Sequence, residues 1–148
     1  LDGPYGVAWL RTDSPRDIVC VAGGSGLAPM VSIARGAVEA GMLKNRQPYF
    51  FHGARTPRDV CGREMLAQLE GFGDRIVYLP VVSLPGDDGE WQGETGYVHD
   101  LVSRALPGNL TGYEFYFAGP PHMTQALQEM LMVGHRVPFE QIHFDRFF

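Results

Sequence analysis

The residues best placed to do chemistry lie between Asp17 and Arg35, where the apolar run Ile18-Val19-Cys20-Val21-Ala22 gives way to Gly23-Gly24-Ser25-Gly26-Leu27-Ala28-Pro29 and then to a helix-like segment. Strand, glycine turn and helix start in one window present unpaired backbone N–H groups at the positive end of a helix dipole. Gly24 and Gly26 carry no β-carbon to keep a phosphate at a distance. The chemistry on offer is anion binding, of the kind a dinucleotide pyrophosphate needs. The third glycine of the GxGxxG pattern is replaced by Pro29, which suits a first helical turn because no N–H is required of it there. Taken alone, such a turn also serves as an ordinary strand-to-helix connection.

Two further segments follow apolar runs. His52-Gly53-Ala54-Arg55-Thr56-Pro57-Arg58-Asp59 combines a glycine that allows close approach with two arginines able to meet ribose or phosphate. A solvated loop fits the same residues, and Asp59 reads better as a helix N-cap than as a ribose contact. Ala118-Gly119-Pro120-Pro121-His122-Met123 is a stiffened turn in which Gly119 leaves room for a flat ring; a rigid connection, with Met123 as core filler, fits equally. His52, His99, His122, His135 and His143 form no metal or dyad pattern, and no GxSxG or HExxH occurs. No catalytic nucleophile, acid or base stands out, and no metal site is expected.

Cys20 and Cys61 are the only cysteines, and Cys20 sits inside an apolar strand, so a reduced, cytoplasmic setting is expected. The formal charge of -5 comes with no basic block, which argues against nucleic acid, and no apolar run is long enough for a membrane span. At 148 residues with 45% hydrophobic composition the chain suits one domain. Its start, Leu1-Asp2-Gly3-Pro4, reads as the edge of an excised piece.

Elements that would position these turns alternate along the chain. Strands are predicted at 17–22, 48–52, 75–82, 114–118 and 142–147, and helices at 28–40, 64–69, 98–106 and 122–133. Continuous apolar strands alternating with helices imply an α/β fold, a doubly wound, mostly five-stranded parallel sheet with ligands beyond the strand carboxyl ends. The loop from Leu84 to Gly93 reads as solvent-exposed, and Trp9, Trp91 and the terminal aromatics as packing residues, with a terminal aromatic also able to lie on a flavin.

Gly3-Pro4-Tyr5-Gly6, Gly23 to Pro29, Gly53-Ala54-Arg55 with Asp59, Trp91 to Val98, Gly119 to Met123 and Asp145-Arg146-Phe147, in this order, resemble the ferredoxin-NADP reductase-like family. More narrowly, the chain is similar to the NAD-binding domain of reductase components serving bacterial multicomponent oxygenases, such as toluene and phenol monooxygenases. That resemblance implies transfer of a hydride from NADH, with NADPH as a permitted second donor, to FAD, and then of electrons through a 2Fe-2S centre to an oxygenase or ferredoxin. It implies that residues 1–8 end a preceding FAD-domain junction and that 9–148 form the NAD(P)-binding domain, the FAD and ferredoxin-like domains lying outside this chain.

Cofactor contacts are then implied at Gly24, Ser25, Gly26, Ala28 and Pro29, at Gly53, Ala54, Arg55 and Asp59, and at Gly119, Pro120, Pro121 and Met123, with Asp145 and Phe147 beside the flavin. Ala118 departs from the many relatives that carry cysteine before the Gly-Pro-Pro turn. The chain by itself is expected to bind nucleotide weakly and not to turn over. Two alternatives remain at this point: a nucleotide-binding or sensing module without redox turnover, and the reductase domain of a flavohaemoglobin or ferric reductase.

Overall fold

Runs rich in β-branched and aromatic residues make strands that need cover on both faces, and two such runs, β1 (Asp17–Gly23) and β5 (Tyr113–Gly119), pair in the interior of the sheet. Every residue of β5 is buried. The computed structural model describes residues 15–24, 27–39, 41, 46–57, 60, 76–84, 86 and 91–146. Besides the central pair these contain α1 (Leu27–Glu39), β2 (Pro48–Ala54), β3 (Val77–Val82), β4 (Glu94–Thr95), α2 (Val98–Ala105), α3 (Pro121–Gln128) and β6 (Ile142–Arg146).

The strands form a six-stranded sheet in the order β4-β3-β2-β1-β5-β6, with every pair parallel. The doubly wound α/β architecture expected from the alternation is therefore present, with one strand more than expected. The addition is β4, whose two exposed residues carry no apolar run for a sequence pattern to detect. The helix predicted at 64–69 and the junction at 1–8 lie outside the described residues. The predicted helix 122–133 divides into α3 and a π-helical segment, Glu129–Gly134.

Alternation along β1 and β5 sends side chains to opposite faces. Ile18, Cys20, Ala22 and Tyr116 pack with Met30, Ile33, Ala34 and Ala37 of α1, whose spacing of three and four residues makes a helical stripe. Val19, Val21, Phe115 and Phe117 meet Leu101 and Val102 of α2 and Leu127 of α3 on the other side. Phe115 and Phe117 are fully buried, and each such side chain contributes about 1.5–3 kcal/mol of transfer free energy.

A polar cluster fixes the β6 edge. Glu114 Oε2 lies 2.6 Å from His143 Nε2 and its Oε1 3.3 Å from Arg16 Nη1, so a buried carboxylate ties β5 to β6 and to the segment entering β1. Phe144 stacks on Phe117 with centroids 5.2 Å apart and planes 8° from parallel, holding the far end of β6 in register.

Candidate functional site

Because all strands run the same way, the turns that follow them share one rim. Gly23 pairs with Gly53 and Ala22 with Ala118, so the glycine turn after β1 stands between the turn after β2 and the one after β5. A cleft of about 700 Å³ opens there. That is the range of a ligand pocket for a small organic molecule or cofactor.

Gly24 lies on this cleft with φ +54, a left-handed conformation that L side chains resist, and α1 begins at Leu27 beside it. Pro120, the residue before α3, packs directly beside Gly24, its ring 3.9 Å from where a β-carbon at that glycine would be. Gly53, Ala54 and Arg55 bring the end of β2 to the cleft, and Met123 forms part of the wall. The backbone at Ala54 and Arg55 is pinned: Ser83 N donates to Ala54 O at 3.0 Å and Leu84 N to Arg55 O at 2.6 Å. The Arg55 side chain is exposed at that pinned position.

Other expected residues are placed differently. Ala28 is exposed and Pro29 buried in the first turn of α1, and neither lines the cleft; Gly119 and Pro121 flank Pro120 without lining it. Ser25, Gly26, Asp59 and Phe147 lie outside the described residues. Asp145 pairs in register with Ala118 at the end of β6.

Two of these glycines also have a packing role. A β-carbon at Gly53 would stand 3.0 Å from Val98 Cβ, so the open space there is taken by the start of α2. The room foreseen at Gly119 is filled by Met123, whose Cε lies 2.6 Å from where a β-carbon would be. Both glycines let helices seat closely on the sheet. Met123 is buried as core filler and borders the cleft as well.

The sequence reading assigned no site role to the segment that enters α2. Gly96, at φ +117, turns the chain from β4 into that helix, and its N–H donates to Val82 O at 3.0 Å. Tyr97 and His99 then face the cleft with their rings stacked, centroids 5.9 Å apart and planes 20° from parallel. His52 and His122 also line it, and His52 Nδ1 lies 3.1 Å from the Tyr78 hydroxyl. Their distance from one another along the chain hid this convergence. Only a topology that joins the strand ends reveals it.

Among the described residues no activated nucleophile lines the cleft. Cys20, 2% exposed within β1, has its thiol pushed up to about 12 by burial. Among the described residues no group of His, Cys, Asp or Glu is arranged to hold a metal ion, and no helix is long and apolar enough to cross a membrane.

An all-parallel, doubly wound sheet with a left-handed glycine and a proline turn packed side by side on a cleft at the strand carboxyl ends defines a nucleotide-binding α/β domain. The family described as oxidoreductase NAD-binding domain matches residues 20–129, and the chain belongs to it. It is similar to ferredoxin-NAD(P)(+) reductase CarAd of Metapseudomonas resinovorans, with 39% identity covering 100% of this chain and 43% of that protein. It is also similar to DmpP, the reductase component of phenol 2-monooxygenase of Pseudomonas sp. strain CF600, with 34% identity covering 100% of this chain and 41% of that one.

A solved structure described as the ferredoxin reductase in carbazole 1,9a-dioxygenase superposes with a TM-score of 0.82 at 36% identity, covering 95% of this chain and 40% of its own. The ferredoxin reductase resemblance read from the motifs is borne out, in its oxygenase-reductase form. The chain spans about two fifths of the length of the curated relatives it matches.

Proposed function

We propose that this chain is the NAD(P)H-binding domain of a cytoplasmic electron-transfer reductase, receiving NADH in preference to NADPH and presenting it to an FAD held by a neighbouring domain. In this reading residues 1–8 belong to the junction with that domain and 9–148 to the nucleotide-binding unit. The electrons pass on through a 2Fe-2S domain to an oxygenase or ferredoxin. The observation that carries the proposal is one cleft at the strand carboxyl ends, lined by Gly23 and Gly24 after β1, Gly53 to Arg55 after β2 and Pro120 after β5.

The described residues fit a dinucleotide. Gly24 opens the approach to the start of α1, where the pyrophosphate would meet backbone amides at Ser25 and Gly26, with Ala28 and Pro29 forming the helix's first turn. Arg55 supplies a cation on the adenosine side, beside Gly53 and Ala54, and Asp59 is assigned to the same side by the family resemblance alone. Gly119, Pro120, Pro121 and Met123 would orient the nicotinamide end. The sheet offers the flavin an edge at the end of β6, where Asp145 stands beside Ala118 and Phe147 follows. When bound, FAD accepts a hydride and releases electrons singly, which is chemistry the cofactor brings. The domain itself needs to bind, orient and exclude water, so no acid, base or nucleophile is required of it.

Flavin-loaded full-length protein mixed with NADH and ferricyanide should reduce the acceptor. A flavin-replete preparation that leaves ferricyanide oxidised overturns the proposal.

A further inference from the structure

Val98 opens α2 and is 5% exposed, yet it forms part of the cleft wall. Its side chain lies on the bare backbone of Gly53 at the end of β2, where a β-carbon would stand 3.0 Å from Val98 Cβ and 3.2 Å from its Cγ1. Gly53 does not have the left-handed backbone of Gly24 or Gly96, so what requires glycine there is this contact. Val98 sits between Tyr97 and His99, the stacked pair on the cleft, and Gly53 stands two residues before Arg55. The wall that carries Arg55 and the wall that carries the two rings therefore meet where Val98 touches Gly53.

Backbone hydrogen bonds through the end of β3 tie the same two walls together. Ser83 N donates to Ala54 O at 3.0 Å and Leu84 N to Arg55 O at 2.6 Å, while Gly96 N donates to Val82 O at 3.0 Å. The result is a closed ring that runs from β2 to β3, on to the start of α2, and back to β2 through the Val98 side chain. Hydrogen-bond lengths fix the spacing on the β3 side of that ring. On the α2 side the spacing depends on side-chain volume, and close-packed contacts respond to a single methyl group.

We infer that Val98 is a positioning residue for the nucleotide: seated on Gly53, its branched side chain sets the separation between the Arg55 turn and the Tyr97–His99 pair, and with it the fit of the adenosine end of the cofactor. The inference rests on the nucleotide-binding reading above, in which Arg55 marks the adenosine side. Misplacing a positioning group by about 1 Å costs on the order of a hundredfold, so a shift of a few tenths of an ångström at this junction should be read as a several-fold loss.

Gly53→Ala and Val98→Ala disturb the spacing from opposite sides, the first by forcing Val98 outward and the second by removing the two methyl groups that seat α2 on β2. Inhibition of NADH oxidation by AMP, which carries the adenosine half of the cofactor alone, reads the effect in the flavin-loaded full-length reductase. Each variant should raise the inhibition constant for AMP and KM for NADH together, by about three- to tenfold, with the change falling on KM rather than on kcat. Val102→Ala truncates a fully buried valine of the same helix that does not line the cleft, and it should leave both constants within about twofold of wild type. Where one of the two cleft variants fails to fold, the other decides. An AMP constant unchanged in a folded cleft variant, an equal rise in Val102→Ala, or wild-type NADH oxidation that AMP does not inhibit overturns the inference and leaves nucleotide binding standing. A wild type that neither binds NAD+ nor oxidises NADH overturns the underlying reading and the inference with it.

Discussion

Met123 occupies the place that a side chain at Gly119 would need. A β-carbon there would stand 2.6 Å from Met123 Cε, and one at Gly23 would stand 2.3 Å from its sulfur. One flexible side chain thus fills the gap between the glycine at the end of β1 and the glycine at the end of β5, and α3 can sit close enough for Pro120 to pack beside Gly24. Gly119→Ala should cost about 1–3 kcal/mol of stability by overpacking. Met123→Ala introduced into that background should cost less than the same change in the wild type, because the alanine methyl at position 119 takes up volume the methionine vacates. Urea unfolding of the two single variants and the double variant gives the coupling; strictly additive losses would show that methionine and glycine do not compete for one volume.

Arg55 is the basic side chain that the β2 turn brings to the cleft, on a backbone held by the hydrogen bonds from Ser83 and Leu84. Its replacement should therefore remove charge without moving the turn. In the full-length reductase, Arg55→Gln should raise KM for NADH roughly tenfold, the scale of one charge-assisted hydrogen bond, and leave kcat within about twofold. Steady-state kinetics with both nucleotides checks this and the preference between them. A lower apparent KM for NADPH than for NADH would reverse the assignment of donor.

Most of the scaffold was legible in the sequence because its central strands have no polar alternation. Val19, Val21, Phe115 and Phe117 could be accommodated only in a sheet covered on both faces. The glycine turn was legible for the same kind of reason, since few structures other than a strand-to-helix turn use Gly23, Gly24 and Gly26 in that spacing. β4 was not legible: its two residues are exposed and gain their identity from pairing with Val81 and Val82. The packing roles of Gly53 and Gly119 were hidden because a missing side chain leaves room for protein as readily as for ligand. Tyr97, His99 and His122 carry no local signal, and they become neighbours of one cleft only once strand order is fixed.

The Cys20 thiol, pushed up to about 12 from an ordinary value of 9.0 by burial, makes stability sensitive to alkali. The folded chain holds this proton where the unfolded chain releases it. The contribution is therefore complete below the unfolded value and fades as pH rises from about 9 toward 12, by about 1.4 kcal/mol per pH unit. Urea unfolding at stepped alkaline pH should show a shallower decline for Cys20→Ala than for the wild type, even though the variant starts less stable. Iodoacetamide should modify the peptide containing Cys20 only after unfolding. Rapid labelling of Cys20 under native conditions would mean that β1 opens far more readily than its burial in the sheet allows.

Glu114 is 3% exposed, and among the groups set against its two oxygens are His143 and Arg16. The contributions of the two partners should differ, because His143 is buried and stacked on Tyr116 with centroids 5.0 Å apart, whereas the Arg16 side chain is 39% exposed. His143→Leu strips the inner partner and leaves a buried carboxylate short of a donor, at an expected cost of about 3–5 kcal/mol. Arg16→Ala removes a pair screened by solvent and should cost about 1 kcal/mol or less. Replacing both buried members, as Glu114→Leu with His143→Leu, should restore much of the first loss, since no unpaired charge then remains in the sheet. Denaturant midpoints of the three variants decide the matter: a His143→Leu loss no larger than that of Arg16→Ala would mean that the carboxylate finds compensation elsewhere, and that the β6 edge does not depend on this contact.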